Sequence, residues 1–359
     1  MIRIRQGEVV KILAQRPEIT EILVNVDGRH QRAVNYDHLT GTVQVGDTVV
    51  LNTTAVHKKL GTGGSHFVMA NLNQQSTDPP EAGHIMKLRY TPCQVKVLSV
   101  EEDDSPYSQV MKQITSLEGM PVVAATLHSM LPAAAAALHR LGRGRWRVAY
   151  IMTDGAALPI ALSSMVKLLK EKKIIHHTIT CGHAFGGDLE AVNIYSALLA
   201  AKAVAKADVA VVAMGPGIVG TGSKYGYTGL EQGQVVNAVH TLGGRAVAVP
   251  RISFADRRER HRGLSHHTGT ALGDVALARC TVALPRLEGE KKALVEQQLK
   301  TSGISEKHDI IEVDATPAIE ALREAGINVT TMGRTIEQDR EFFLAAGAAG
   351  VVAARFLNK

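Results

Sequence analysis

The sequence contains little cysteine. Only 3 Cys occur among 359 residues, namely Cys93, Cys181 and Cys280, and no two of them form a C-x-x-C pair. A disulfide framework and a structural zinc site built on cysteine pairs are therefore excluded. Because unpaired cysteines persist in reducing compartments, we expect a cytoplasmic protein.

Long apolar runs are also missing. No run of about 18 uninterrupted apolar residues occurs, which predicts no transmembrane helix and no membrane partner. The basic start Met-Ile-Arg-Ile-Arg is not followed by the apolar core of a signal peptide, so we expect no secretion.

Aromatic residues make up only 4% of the chain. Proteins that bind single-stranded nucleic acid stack bases on aromatic side chains, so this scarcity disfavours such a role. The formal net charge is +6, but the basic residues are dispersed among acidic ones. We interpret the charge as favouring anionic small molecules, with nucleic acid as a less favoured partner.

What is present changes in character at the acidic tract 101–106. Before it, short strand patterns at 9–13, 21–26, 32–34 and 48–51 are separated by turn sequences such as Asp27-Gly28 and Thr40-Gly41. Such short, regularly spaced strands are typical of a barrel. We predict a small β-barrel domain over residues 1–104.

Residues 105–359 alternate apolar runs of strand length with helical stretches rich in alanine and leucine. Strands are predicted at 122–127, 147–152, 174–180, 209–214, 245–254, 280–284, 309–313 and either 329–332 or 350–353. This rhythm predicts an α/β domain with a mostly parallel, Rossmann-like sheet flanked by helices. Helix starts are predicted at Asp188 with Glu190 and at a capping box of Thr228 with Glu231.

Polar residues follow several of these strands. Asp154 follows the second strand, His183 follows the third, a glycine-rich loop (215–229) follows the fourth, and an Arg/His segment (255–268) follows the fifth. Ligands bind outside the carboxyl ends of parallel strands. We therefore expect these segments to converge on one site.

The glycine-rich loop is long and contains potential ligand contacts. Gly220, Gly222 and Lys224 would hold an anion, and Tyr225 would line the same site. The loop lacks both the ending of a P-loop and the spacing of a dinucleotide fingerprint. The alternative is that its glycines serve tight turns alone.

The Arg/His segment supports three interpretations. In the first, Asp256, His261 and His267 bind a divalent metal such as zinc, manganese or iron, and only one of the adjacent His266 and His267 participates because neighbouring side chains diverge. In the second, Arg257 and Arg262 neutralise an anion while a histidine acts as acid or base. In the third, the segment is a solvated loop in which Ser265 caps a helix.

These elements lead to a hypothesis about function. The protein would be an enzyme of transferase or hydrolase type acting on a phosphorylated or carboxylated small molecule. His266 or His183 would move a proton, and Asp154 would orient a histidine or a metal; the cofactor is unknown, with a divalent metal as the candidate.

Two alternatives stay open: a non-catalytic protein that senses a metabolite or binds a partner, and an RNA-modifying protein whose barrel contacts RNA. Homo-oligomerisation through the helix at 189–207 or the apolar stretch after Phe342 is a further option.

Three motifs carry a resemblance to a known family. They are Asn-Thr-Thr-Ala-Val at 52–56, Leu-Gly-Thr-Gly-Gly at 60–64 with His-Phe-Val at 66–68, and Arg-His-Arg-Gly-Leu-Ser-His-His-Thr at 260–268. With these motifs the chain resembles a bacterial protein family of unknown function and of about this length, over most of its residues. The resemblance implies a soluble bacterial protein and supplies no mechanism.

Overall fold

The computed structural model describes residues 1–61, 63–74 and 78–358. Its chain divides into two compact units, Met1–Val97 and Leu98–Lys359, where the sequence pattern places the boundary after residue 104. Thr62, the central residue of the 60–64 motif, lies outside the described residues.

The first unit is a closed barrel, as predicted. Its strands are β1 (Ile4–Arg16), β2 (Ile19–Val26), β3 (Arg29–Tyr36), β4 (Thr48–Asn52) and β5 (His66–Asn71), joined in the order β1-β2-β3-β5-β4. The unit also contains two short helices, α1 (Asp37–Thr40) and α2 (Thr54–His57), and a separate hairpin of β6 (Ile85–Lys87) and β7 (Val95–Val97). Alternate residues such as Ile22 and Val24 fill the interior, because side chains alternate between the faces of a strand.

The second unit contains an eight-stranded sheet in the order β11-β10-β9-β12-β8-β13-β16-β17, and every pairing in it is parallel. The predicted Rossmann-like α/β architecture is therefore confirmed. The strands are β8 (Pro121–Ala124), β9 (Val148–Thr153), β10 (His177–Cys181), β11 (Leu189–Ala191), β12 (Val209–Met214), β13 (Arg245–Ala248), β16 (Thr281–Pro285) and β17 (Asp309–Val313).

Helices cover both faces of this sheet. They are α3 (Ser108–Gln113), α4 (Leu131–Gly142), α5 (Ser164–Glu171), α6 (Ile194–Ala203), α7 (Glu231–Thr241), α8 (His266–Thr268), α9 (Gly289–Thr301), α10 (Ile304–Lys307), α11 (Thr316–Glu324) and α12 (Arg340–Leu357). Val211 packs in the core with α4, α5, α11 and α12, and its neighbour Val212 packs in the core with α6, α7 and α9. Among the described residues, no helix is long and apolar enough to cross a membrane.

The run at 245–254 was predicted to be one strand, but it forms two. β13 ends at Ala248, and β14 (Ile252–Ser253) pairs antiparallel with β15 (Gly263–Leu264). Pro250 lies between them and has no N–H group to continue the parallel ladder. The chain therefore leaves the large sheet and folds back on itself, which positions the Arg/His segment.

The prediction of a last strand at either 329–332 or 350–353 was wrong. Residues 350–353 lie in α12, and 329–332 contribute only an isolated bridge from Thr331 to Arg334. A Cβ atom on Gly350 would lie 2.3 Å from the carbonyl oxygen of Ala134 in α4. The small residues of this run thus allow two helices to approach closely, and a short buried apolar run does not reveal by its pattern which element it forms.

The predicted helix start at Asp188 was also wrong. Residues 189–191 form strand β11, and Asp188 accepts hydrogen bonds from the backbone and hydroxyl of Thr178. Helix α6 begins later, after Asn193, whose side chain forms a capping box with Ser196.

Candidate functional site

The Arg/His segment ends in a capped helix. Ser265 is the N-cap of α8, and its Oγ accepts a hydrogen bond from the backbone N–H of His267 at 3.3 Å, as the structural interpretation predicts. Helix α8 continues into a π-helix at Gly269–Val275. Because π-helices are rare and occur often at functional sites, this stretch indicates a candidate functional site.

Three histidines, His261, His266 and His267, meet at this helix start and are called the histidine cluster below. Their ring centroids lie 4.3 to 4.9 Å apart, and one ring nitrogen of each lies within 4.8 Å of the others. The Nε2 atoms of His266 and His267 are buried and have no hydrogen-bond partner among the described residues. The adjacent pair thus does not diverge as expected, and both members join one group.

Tyr227 from the glycine-rich loop fixes the position of His267. The two rings stack with centroids 3.7 Å apart and planes 7° from parallel, and the Tyr227 hydroxyl donates to the carbonyl of His267 at 2.5 Å. Gly220 lies beside the same ring, because a Cβ atom there would sit 3.3 Å from Cε1 of His267. The loop and the Arg/His segment therefore converge, at this point, on the histidine cluster.

Burial keeps the histidine cluster neutral. It lowers the pKa of His261 and that of His267 to about 3 each, and it lowers the pKa of His266 as well. The guanidinium groups of Arg251 and Arg258 lower all three pKa values further. Neutral imidazoles have the lone pairs that metal ions and acidic protons require.

Asp256 lies in a separate network. Its carboxylate accepts hydrogen bonds from Arg251 at 2.8 Å and from Arg258 at 2.8 and 3.0 Å. The Arg258 side chain, together with Arg251, holds the pKa of this carboxyl well below its usual range. Both oxygens are thus engaged by the protein, and Asp256 does not belong to the group of described residues whose spacing could hold a metal ion, which consists of the three histidines.

Arg251 is a residue that the sequence did not single out. It is 6% exposed, and its Nη1 atom has no hydrogen-bond partner in the described part of the chain. The only signal for it was a charged residue inside the otherwise apolar stretch 246–252. An unpartnered, buried guanidinium nitrogen is costly unless an anion accepts from it.

A cavity of about 590 Å³ adjoins the histidine cluster. It is lined by Lys224, Glu259, Arg260, Leu264, Ser265, His266, Gly269, Thr270, Asp274, Leu294, Gln297, Gln298, Thr301 and Ser302. Lys224 pairs with Asp274 at 2.8 Å, whereas Arg260 forms no ion pair among the described residues. The cavity thus combines an imidazole with one unpaired cation.

Five predicted binding residues do not line this cavity, namely Gly220, Gly222, Tyr225, Arg257 and Arg262. Gly222 and Tyr225 lie on the exposed part of the loop, with the Lys224 ammonium 5.3 Å from the Tyr225 ring. Arg257 and Arg262 are exposed, and the Arg262 carbonyl accepts from Gln298 at 2.9 Å.

Asp154 and His183 come together at the ends of β9 and β10, in a second group that also contains Thr153 and Glu231 and is called the carboxylate cluster below. Asp154 accepts from the backbone N–H of His183 at 2.9 Å, and Glu231 accepts from the Thr153 hydroxyl at 2.7 Å. Burial raises the pKa of Glu231 to about 7, against the Thr153 hydrogen bond and with the help of Asp154. The predicted capping box of Thr228 with Glu231 was therefore wrong, and none of these residues lines the cavity.

Comparison with known proteins supplies a family and no activity. No curated protein matches the chain. A family described as "Protein of unknown function (DUF3866)" matches residues 32–350, which include the 60–64 and 260–268 motifs. The resemblance noted from these motifs is confirmed, and the chain belongs to the DUF3866 family of proteins of unknown function.

Proposed function

We propose that this protein is a bacterial, cytoplasmic enzyme of transferase or hydrolase type that acts on a phosphorylated or carboxylated small molecule. The observation that carries this proposal is the cavity in which the unpaired Arg260 and the neutral imidazole of His266 face the same space. A guanidinium binds phosphate or carboxylate in a bidentate manner, and a neutral imidazole accepts a proton or binds a metal. No disulfide joins the cysteines of the described residues, which supports the cytoplasmic location.

The size of the cavity supports a small ligand. Ligand pockets usually measure about 300–1,000 Å³, and this one measures about 590 Å³. Its two carboxylates, Glu259 and Asp274, balance the formal charges of Lys224 and Arg260, so the cavity favours a ligand with a single anionic group and a polar remainder over a polyanion.

A matched pair of arginines tests ligand binding. Arg260 lines the cavity and Arg262 does not, although both are exposed and only one residue separates them. We expect Arg260→Gln to weaken binding of sugar phosphates or carboxylates by about 10- to 150-fold, since a hydrogen bond to a charged group contributes about 1.5–3 kcal/mol. Arg262→Gln should leave the dissociation constant from isothermal titration calorimetry unchanged. Equal losses in both variants would refute binding in this cavity.

Turnover is tested with the ligands that bind. Each is incubated with the wild-type protein, and product formation is followed by phosphate release or by mass spectrometry. We expect turnover in wild type and its loss in His266→Gln.

Binding without turnover would favour the second candidate, a metabolite-sensing protein. The observation in its favour is that the acid–base candidates Asp154, His183 and Glu231 do not line the cavity.

Contact of the barrel with RNA is a third candidate. The barrel has its own polar cavity of about 340 Å³, lined by Arg3, Val26, Asp27, Arg29, Gln31, Val56, His57 and His66. If this cavity and its arginines contact RNA phosphates, affinity for RNA should fall steeply with salt. A flat salt response would contradict a role in RNA binding.

A further inference from the structure

The histidine cluster has the composition of a metal centre with an open position. Three imidazoles with one further position left for water or substrate are a known ligand set of catalytic zinc. No carboxylate joins the cluster among the described residues, so the available donors are all nitrogen. Such a set suits zinc and related transition metals better than magnesium or calcium, which prefer oxygen.

The second observation is the pair of unpartnered nitrogens. A buried polar atom without a hydrogen bond costs about 1–3 kcal/mol, and the Nε2 atoms of His266 and His267 both lack a partner among the described residues. One ring nitrogen of each of the three histidines lies within 4.8 Å of the others, and the two unpartnered atoms are explained if a cation occupies the space that the three rings share.

Ser265 orients the third ring. Its Oγ lies 2.7 Å from Nδ1 of His261 and accepts from the backbone N–H of His267. If the Nδ1–H of His261 donates to this oxygen, Nε2 of His261 carries the lone pair and can bind a metal. A hydrogen bond to the second ring nitrogen is the usual means by which proteins fix a metal-binding histidine.

We propose that His261, His266 and His267 bind one divalent transition-metal ion, with Ser265 as a positioning residue and an anionic ligand group in the open coordination position. The metal site stands on the imidazole geometry alone, and only its use in catalysis rests on the proposed function. When bound, such an ion supplies a Lewis acid and an activated water at neutral pH.

The arginines explain why an anion belongs to the site. The backbone of Arg251 is hydrogen-bonded to Ser265 and to Thr268, which flank His266 and His267, and its Nη1 atom has no hydrogen-bond partner among the described residues. Asp256 offsets the charges of Arg251 and Arg258 only in part, so a divalent cation entering alone meets repulsion. An anion bound to both the metal and Arg251 removes this repulsion. Metal and anion should therefore strengthen each other's binding, by the same factor in either order.

The first experiment uses the full chain after treatment with a chelator. Isothermal titration calorimetry with zinc alone should give one tight site per chain, and Co²⁺ should produce the visible absorption of a tetrahedral centre. His266→Gln and His267→Gln should each weaken zinc binding by about 100-fold or more, since loss of an outer-shell partner alone typically costs 10–100-fold. His240→Gln is the control, because this exposed histidine lies in α7 of the same unit.

Ser265→Ala tests the positioning role. It should weaken zinc binding by about 10–100-fold and alter the Co²⁺ spectrum, which the loss of a helix cap alone would not do. Thermal unfolding followed by circular dichroism establishes that each variant is folded. Absence of a tight zinc site in the wild-type chain would overturn the inference without reference to any variant, and so would equal losses in His240→Gln and His266→Gln.

The second experiment repeats the titration in the presence of inorganic phosphate and of acetate. Tighter zinc binding with either anion, lost in Arg251→Met, supports the shared site, whereas unchanged affinity overturns its anion component. The two proposals fail separately. Zinc binding without Arg260-dependent ligand binding contradicts the proposed function alone, and Arg260-dependent binding without zinc contradicts the metal site alone.

Discussion

Asp256 and the histidine cluster lie in the same segment, yet the protein treats their polar atoms in opposite ways. The carboxylate of Asp256 accepts hydrogen bonds from two arginines, whereas two buried ring nitrogens of the cluster have no partner in the described part of the chain. A polar group that the protein satisfies has a sufficient structural reason to exist. One that the protein buries and leaves unpartnered indicates a ligand, because the fold alone gains nothing from it.

The strongest test of this contrast removes the satisfied group. Asp256→Ala leaves Arg251 as an uncompensated buried charge and should lower the free energy of unfolding by about 3–5 kcal/mol. Asp274→Ala is the control, since its pair with Lys224 is solvent-exposed and should contribute no more than about 1 kcal/mol. Urea denaturation measures both, and similar losses would mean that the Asp256 network is not structural.

Zinc binding provides a second test of the difference between Asp256 and the histidine cluster. Asp256→Asn keeps one carbonyl oxygen for the arginines, and we expect it to bind zinc with nearly the affinity of wild type. A loss of about 100-fold in a folded Asp256→Asn protein would make this side chain a metal ligand, as one interpretation of the sequence has it.

The carboxylate cluster is intermediate between Asp256 and the histidine cluster. Glu231 accepts a hydrogen bond from the Thr153 hydroxyl, and burial nevertheless raises its pKa. Its pKa in the folded protein, about 7, lies above its ordinary value of 4.5, so the folded state binds the proton more tightly. The contribution of this group to stability is therefore complete below pH 4.5 and is lost as the pH rises through 7.

Glu231→Gln should remove this pH dependence. At pH 8 the variant should be more stable than wild type by at most about 3 kcal/mol, since one pKa unit corresponds to about 1.4 kcal/mol, and at pH 4.5 the two should be alike. Free energies of unfolding across this range provide the measurement, with Asp154→Asn as a control that should reduce the effect only in part. A constant difference between Glu231→Gln and wild type would show that folding does not shift the pKa of Glu231.

The sheet was predictable because its central strands, such as β9 and β12, are buried along their whole length and are therefore mostly apolar. The predicted bounds 209–214 and 309–313 coincide with β12 and β17. The layout of the site was not predictable to the same degree. It depends on Pro250 ending the parallel ladder and on the pairing of Ile252 with Leu264, which no local pattern encodes.

The residue types of the site were evident from the sequence, but their partners were not. The sequence placed Asp256 with the histidines because they are neighbours along the chain, and the structure separates them because Arg251 and Arg258 engage the carboxylate. His267 is held by Tyr227, which lies 40 residues away. Only the folded chain reveals which polar atoms are satisfied.

The smallest expected effect is a gain in stability, as for Glu231→Gln at pH 8. His267→Phe retains a ring that can stack on Tyr227 and removes the unpartnered Nε2, so it should raise the free energy of unfolding of the metal-free protein by about 1 kcal/mol. At a zinc concentration 100 times the dissociation constant, wild type should gain about 2.7 kcal/mol and the variant nothing. A metal-free variant less stable than wild type would mean that the imidazole serves the fold. A residue whose replacement stabilises the empty protein and abolishes zinc binding is retained for the ligand, as expected of functional residues that reduce stability.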